Sequence, residues 1–116
     1  MKPINADAVQ SSLERLKGKE LFLHLETTSG AYAAHHAGKP FVAGAFIRNG
    51  LIRYQHGKIK GSGPYRVGLK MDLGWVYAEG LTHFVIDQRG RLLLAGYDDS
   101  GNLTVALQLS EEPFDH

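Results

Sequence analysis

From Glu20 onward, turn signals interrupt the chain every eight to twelve residues. They fall at Ser29-Gly30, Asn49-Gly50, Asp72-Leu73-Gly74, "DQRG" (87–90) and "DDSGN" (98–102). Between them lie short runs rich in β-branched, aromatic and aliphatic residues, among them "ELFLHLETT", "FVAGAFIR", "YRVGLKM", "WVYAEG", "THFVI" and "LTVALQLS". A chain that reverses so often has no room for the long crossovers that parallel strands need. The spacing predicts a mainly β fold: an antiparallel meander of about nine short strands, spanning 20–109 and forming a small barrel or sandwich. Asn-Gly is the strongest short hairpin signal, so Asn49-Gly50 predicts a tight turn between two of these strands. The 14 glycines exceed the roughly eight that average usage of about 7% would place here. Gly44, Gly68 and Gly96 sit inside strand patterns, where glycine marks bulges or sharp corners.

The one helical pattern precedes the strands. Over residues 5–17, Ala6, Val9, Leu13 and Leu16 recur on one face, and Gln10, Glu14, Arg15 and Lys17 take the other. Asn5 is positioned as the N-cap and Gly18 as the residue that ends the helix. Such a helix is expected to cover an open face or end of the sheet. Pro113 marks a short tail, 110–116. A chain of 116 residues with no linker or repeat is read as a single domain, 1–116.

The absence of cysteine removes disulfides, thiolate metal sites and cysteine nucleophiles together, and suits a reducing compartment. "MKPINADAVQ" lacks the apolar run of a signal peptide, and no stretch is long and apolar enough for a membrane span. The expectation is a cytoplasmic protein without a membrane association.

A net charge of +1 hides a marked asymmetry. Seven cations and no acids lie between Lys39 and Met71, whereas eight acids and two arginines lie between Asp72 and His116. The centre of the basic segment is "KIKGSGPYRVGLK" (58–70). It lacks the Gly-Lys-Ser/Thr ending of a phosphate-binding loop and the glycine spacing of a dinucleotide fingerprint, so no cofactor is implied. Its alternation is more informative. Tyr65, Val67 and Leu69 share one face, Arg66, Gly68 and Lys70 the other, and Lys58 and Lys60 likewise lie together. A turn between the two runs would gather Lys58, Lys60, Arg66 and Lys70 over the bare surface of Gly68. That arrangement is an anion site for a phosphate or carboxylate, with the Arg66 fork as its best-suited donor. The competing reading is a solvated basic face opposed by the acidic last third of the chain.

Six histidines raise a metal alternative. A two-residue turn at Ser29-Gly30 places His24 opposite His35 with Glu26 on the same face, a set suited to zinc or iron; a three-residue turn breaks it up. Catalysis is otherwise poorly supported. Ser62 has no strand-to-helix elbow, Glu79 and Asp87 fall on different strands, and Trp75, Tyr77, Phe84 and Leu92–Leu94 read as core. The balance is against an enzyme. Nucleic acid is also disfavoured, because basic residues interspersed with Tyr54, Tyr65, Trp75 and Tyr77 lack a dedicated motif.

Together, "HLETTSGAY", "IRNG", "KIKGSGPYRVGLK" and "GWVYAEGLT" resemble the YojF family of small proteins from bacilli, over nearly the whole chain. The resemblance implies a compact, largely β domain with an N-terminal helix and no catalytic residues. It also implies an accessory role near bacillithiol metabolism, since members tend to be encoded beside a deacetylase of that pathway. The expected function is therefore a non-catalytic accessory or binding protein that recognises a partner protein or a small anionic molecule through its basic middle segment. A metal-dependent enzyme or a single-strand nucleic-acid binder is the alternative. A glycine-rich meander leaves an edge strand to cover, which predicts a homodimer.

Overall fold

The computed structural model describes residues 1–28 and 44–115. The Ser29-Gly30 turn, the run "AYAAHHAG" (31–38) read as the strand that follows it, and His35 lie outside the described residues. Within them the chain forms β1 (Lys2–Pro3), α1 (Ala6–Leu16), β2 (Leu21–Thr27), β3 (Ala45–Ile52), β4 (His56–Gly61), β5 (Tyr65–Lys70), β6 (Trp75–Leu81), β7 (His83–Ile86), β8 (Leu92–Tyr97) and β9 (Leu103–Ser110). The strands make two antiparallel sheets, ordered β1-β7-β8-β9-β2-β3 and β4-β5-β6. Among the described residues no barrel closes. The two-sheet form of the expected β architecture is the one observed.

Successive strands pair as a meander within β4–β5–β6 and within β7–β8–β9. The departure is β2, which pairs with β9 on one side and β3 on the other. That pairing brings early and late parts of the chain into one sheet. Leu21, Leu23, Leu92, Leu94, Leu107 and Leu109 bury their side chains beneath it.

Helix α1 starts where Asn5 accepts a hydrogen bond from the Ala8 amide at 3.1 Å. Val9, Leu13 and Leu16 are fully buried, as the periodicity predicts. Gln10, on the polar face, does more than meet solvent. Its amide nitrogen donates to Gly57 O at 2.9 Å and its oxygen accepts from the Ile59 amide at 3.0 Å. One side-chain amide thus stands in for a neighbouring strand along the outer edge of β4, as the expected covering role of the helix requires.

The Asn49-Gly50 hairpin does not form. Strand β3 runs straight through both residues, with Leu23 facing Gly50 and His24 facing Arg48, so Asn49 is the extra residue of a bulge. Its φ of 58° is the left-handed conformation that suits Asn in a tight turn and equally in a bulge. Both halves of β3 pair with β2, so the strand cannot fold back on itself. The Asn49 side chain is occupied by the tail: it accepts from the Phe114 amide at 2.7 Å and donates to Phe114 O at 2.9 Å.

The two late turns are as expected and share one construction. Asp87 Oδ1 accepts from the amides of Arg89 and Arg91, and Asp98 Oδ1 accepts from those of Ser100 and Asn102. Gly90 and Gly101 supply the positive φ that each turn needs. The amide groups around Asp98 hold its carboxyl below the ordinary value of 3.8. Burial pushes the Asp87 carboxyl up, but the Arg91 guanidinium and the two turn amides outweigh it and hold it low as well. A carboxyl depressed in the folded state stabilises the fold above its unfolded value, and that contribution disappears as pH falls through the lower folded value. Urea midpoints measured from about pH 5 down to about pH 2 are therefore expected to drop in wild type. In Asp98→Ala the drop is shallower, and an unchanged acid limb would contradict this assignment.

Candidate functional site

The segment 58–70 forms the β4–β5 hairpin. Register pairs His56 with Lys70, Lys58 with Gly68 and Lys60 with Arg66. Across β5, Lys70 pairs with Trp75, Gly68 with Tyr77 and Arg66 with Glu79. One face of the small sheet is therefore a three-by-three grid. Its rows are His56–Lys70–Trp75, Lys58–Gly68–Tyr77 and Lys60–Arg66–Glu79. The alternate residues Ile59, Val67, Leu69 and Ala78 are buried on the other face, which fixes the outward direction of the grid.

Gly68 occupies the centre of the grid and carries no side chain. A hollow of about 270 Å³ opens above it, lined by His56, Lys58, Lys60, Arg66, Lys70, Trp75 and Tyr77. All five anion-site residues expected from the alternation are brought together here. No carboxylate of the described residues lies at ion-pairing distance from Lys58, Lys60, Arg66 or Lys70. Residues 29–43 contain no Asp or Glu. The one acid on the face, Glu79, accepts a hydrogen bond from the Tyr77 hydroxyl at 3.2 Å. Partial burial and that carboxylate push the Tyr77 phenol up from its usual value.

Trp75 and Tyr77 are not core, contrary to the expectation. They are 68% and 53% exposed and stand on the outer strand of the grid. Lys70 Nζ lies 5.5 Å from the centre of the Trp75 ring, within cation–π range. The signal was present in the alternation of "WVYAEG", where Trp75, Tyr77 and Glu79 face one way and Val76 and Ala78 the other. Their bulk and apolar character pointed inward, but the register of β5 turns them outward. The reverse holds for Tyr54, which is fully buried, with its hydroxyl donating to Leu13 O at 2.7 Å. Phe84, Leu92 and Leu94 are core as expected.

His24 and Glu26 do share a face of β2, and His24 is buried there. Arg48 donates to His24 Nδ1 at 3.2 Å, which leaves the ring proton on Nε2, donated to Glu26 Oε1 at 3.2 Å. Phe46 and Phe114 pack edge-on against the ring. Arg48 also donates to Asp115 O, so this cluster fastens the tail. Among the described residues no group of three His, Asp or Glu side chains is placed to hold a metal.

A larger groove, about 720 Å³, runs past Leu25, Ala78 and Val105. Among the described residues its rim carries Glu79, Asp98 and Asp99 and no cation, a lining that disfavours the anions to which the smaller hollow is suited. Size and chemistry point to different places, and the chemistry selects the Gly68 face.

The chain belongs to the family described as a protein of unknown function (DUF1806), which matches residues 3–114. It is similar to the uncharacterized protein YojF of Bacillus subtilis (strain 168), with 51% identity over 98% of each chain. The crystal structure of the Bacillus subtilis YojF protein superposes with a TM-score of 0.83 and 47% identity, covering 99% of this chain and 97% of that one. The resemblance read from the sequence is thereby shown. No helix of the described residues is long and apolar enough to cross a membrane.

Proposed function

We propose that the chain is a cytoplasmic, non-catalytic binding protein that takes an anionic ligand on the open face of β4–β5–β6. Lys58, Lys60, Arg66 and Lys70 supply the charge and Gly68 supplies the room. The observation that carries this reading is the register: it sets four cations around one glycine, and the one acid among the described residues of that face, Glu79 at the corner beside Arg66, makes no ion pair with them. Like charges held this close repel one another, and a bound phosphate or carboxylate removes the repulsion. Arg66 receives the anion with its two-pronged guanidinium, and the lysines act as point charges around it. An acidic segment of a partner protein would use the same groups.

The test is thermal melting of untagged protein with inorganic phosphate, malate, phosphosugars and a malate-bearing glycoside. The last probes the link with bacillithiol metabolism that the resemblance implies. A ligand at a hundred times its dissociation constant stabilises by about 2.7 kcal/mol, or roughly ten degrees for a domain of this size. Arg66→Ala is expected to abolish the shift. Its own melting temperature should stay close to wild type, because surface substitutions usually cost within about 0.5 kcal/mol. No shift with any anion overturns the proposal. The homodimer belongs to the same reading. Among the described residues β3 is an outer strand that exposes Phe46, Ile47 and Leu51, and a monomer by light scattering would exclude it.

A further inference from the structure

We infer that the ligand of the Gly68 face is a phosphorylated ring compound of nucleotide size, its ring stacked on Trp75 and its phosphate held across Gly68 by Lys58 and Arg66. The inference rests on the anion-binding reading and adds to it the outer strand of the grid. Trp75 and Tyr77 lie two residues apart on β6, so both rings share the face that carries the cations. Leaving two of the largest apolar side chains in water beside a cationic cluster is unfavourable unless something covers them. The rings are also held in place: Tyr77 through its hydroxyl on Glu79, Trp75 by Lys70 beside its indole.

The grid sets the shape of the ligand. The aromatic strand β6 and the lysine strand β4 are separated by two strand spacings, roughly 9–10 Å. Only Gly68 and its neighbours on β5 lie between them, and Gly68 puts no side chain in the way. A bare phosphate sits over Gly68 and leaves the rings uncovered. A ring joined to a phosphate through a few bonds spans the distance and uses both ends. The hollow of about 270 Å³ is near the lower limit for small-molecule sites, which suits one such unit and not a chain of them. The shared chemistry is a flat or C–H-rich ring face plus a phosphate, offered by a nucleoside monophosphate or a sugar phosphate.

Trp75 is the single tryptophan of the chain, so tryptophan fluorescence reports this one position. The experiment titrates the full chain with inorganic phosphate, AMP, glucose 6-phosphate and a six-residue oligothymidylate, following emission and, in parallel, calorimetry. AMP or glucose 6-phosphate is expected to change the emission saturably and to bind at least tenfold more tightly than inorganic phosphate; whichever does so identifies the ring. By calorimetry, Trp75→Ala weakens that ligand about tenfold, the size expected of one stacked ring, and leaves the affinity for inorganic phosphate within about twofold. Arg66→Ala weakens both. If phosphate binds as tightly as both esters, the ring inference is overturned while the anion site stands. If none of the probes binds, both fall. If the oligonucleotide alone binds tightly, with affinity falling steeply with salt, the face is a single-strand platform and the small-ligand inference is wrong.

Discussion

Gly96→Ala lowers the melting temperature by roughly 10 °C or more, the equivalent of at least about 3 kcal/mol in a domain of this size. A Cβ at Gly96 would collide with Gly80 O and would stand 3.0 Å from the Gly80 carbonyl carbon and 2.7 Å from Val105 Cγ1. Backbone cannot yield as the end of a flexible side chain can. The contact lies where the small sheet passes into the large one. Gly80, at φ 83°, is the extra residue of a bulge opposite β5, and after it the chain leaves β6 for β7. The turn is secured by the Thr82 amide on Ala95 O at 2.9 Å and the Ile4 amide on Thr82 O at 3.0 Å. A methyl group at Gly96 pushes β8 and β6 apart at that corner. Gly68→Ala is the matched control. Its Cβ would meet nothing nearer than Tyr77 Cδ2 at 3.9 Å, so its stability is expected within about 0.5 kcal/mol of wild type. Equal melting temperatures for the two variants would contradict the described contact between the sheets.

Tyr54→Ala costs about 3–5 kcal/mol, the range for removing a large buried aromatic side chain. The ring fills the space between α1 and β4. A Cβ added at Gly57 would lie 2.8 Å from Tyr54 Cε2, so Gly57 is small because the ring passes over it. Tyr54→Phe keeps that packing and loses the hydrogen bond to Leu13 O, costing about 1 kcal/mol. The two variants also separate at high pH. Burial, aided by the charge of Glu14, pushes the Tyr54 phenol far above its ordinary value of 10.0. A proton held more tightly in the folded state gives stability that is complete below the unfolded value and is lost as pH rises above it. Denaturation followed from about pH 9 to pH 11 is expected to show that loss in wild type and a smaller one in Tyr54→Phe. Identical alkaline limbs would mean that the phenol is not buried.

The parts of this fold that were legible in the sequence are those decided by neighbours along the chain. The alternation of Lys58, Lys60, Arg66, Gly68 and Lys70 needed only a turn at 61–64 to become one face, and the β4–β5 pairing supplies it. Asp87 and Asp98 announce their turns because the same short side chain serves the amides two and four residues ahead. Asn49 shows the limit. Its conformation was predictable, but a bulge and a hairpin use the same one, and the choice depends on β2 pairing along both halves of β3. Trp75 and Tyr77 fail for a related reason. Their apolar character argued for the core, while their direction is set by the partner strand. The burial of His24 depends on Phe114, 90 positions away in sequence, closing over it.

On the proposed reading, an anion settles over Gly68. Backbone-amide NMR of the full chain, titrated with inorganic phosphate, tests it directly because it locates binding wherever it occurs. Saturable shifts are expected, centred on Lys58, Arg66, Gly68 and Lys70, weakening with distance along β4 and β5 and absent in Arg66→Ala. Shifts centred instead on His24 and Glu26, or on the acidic groove by Asp98, would contradict it, as would a spectrum that phosphate leaves unchanged.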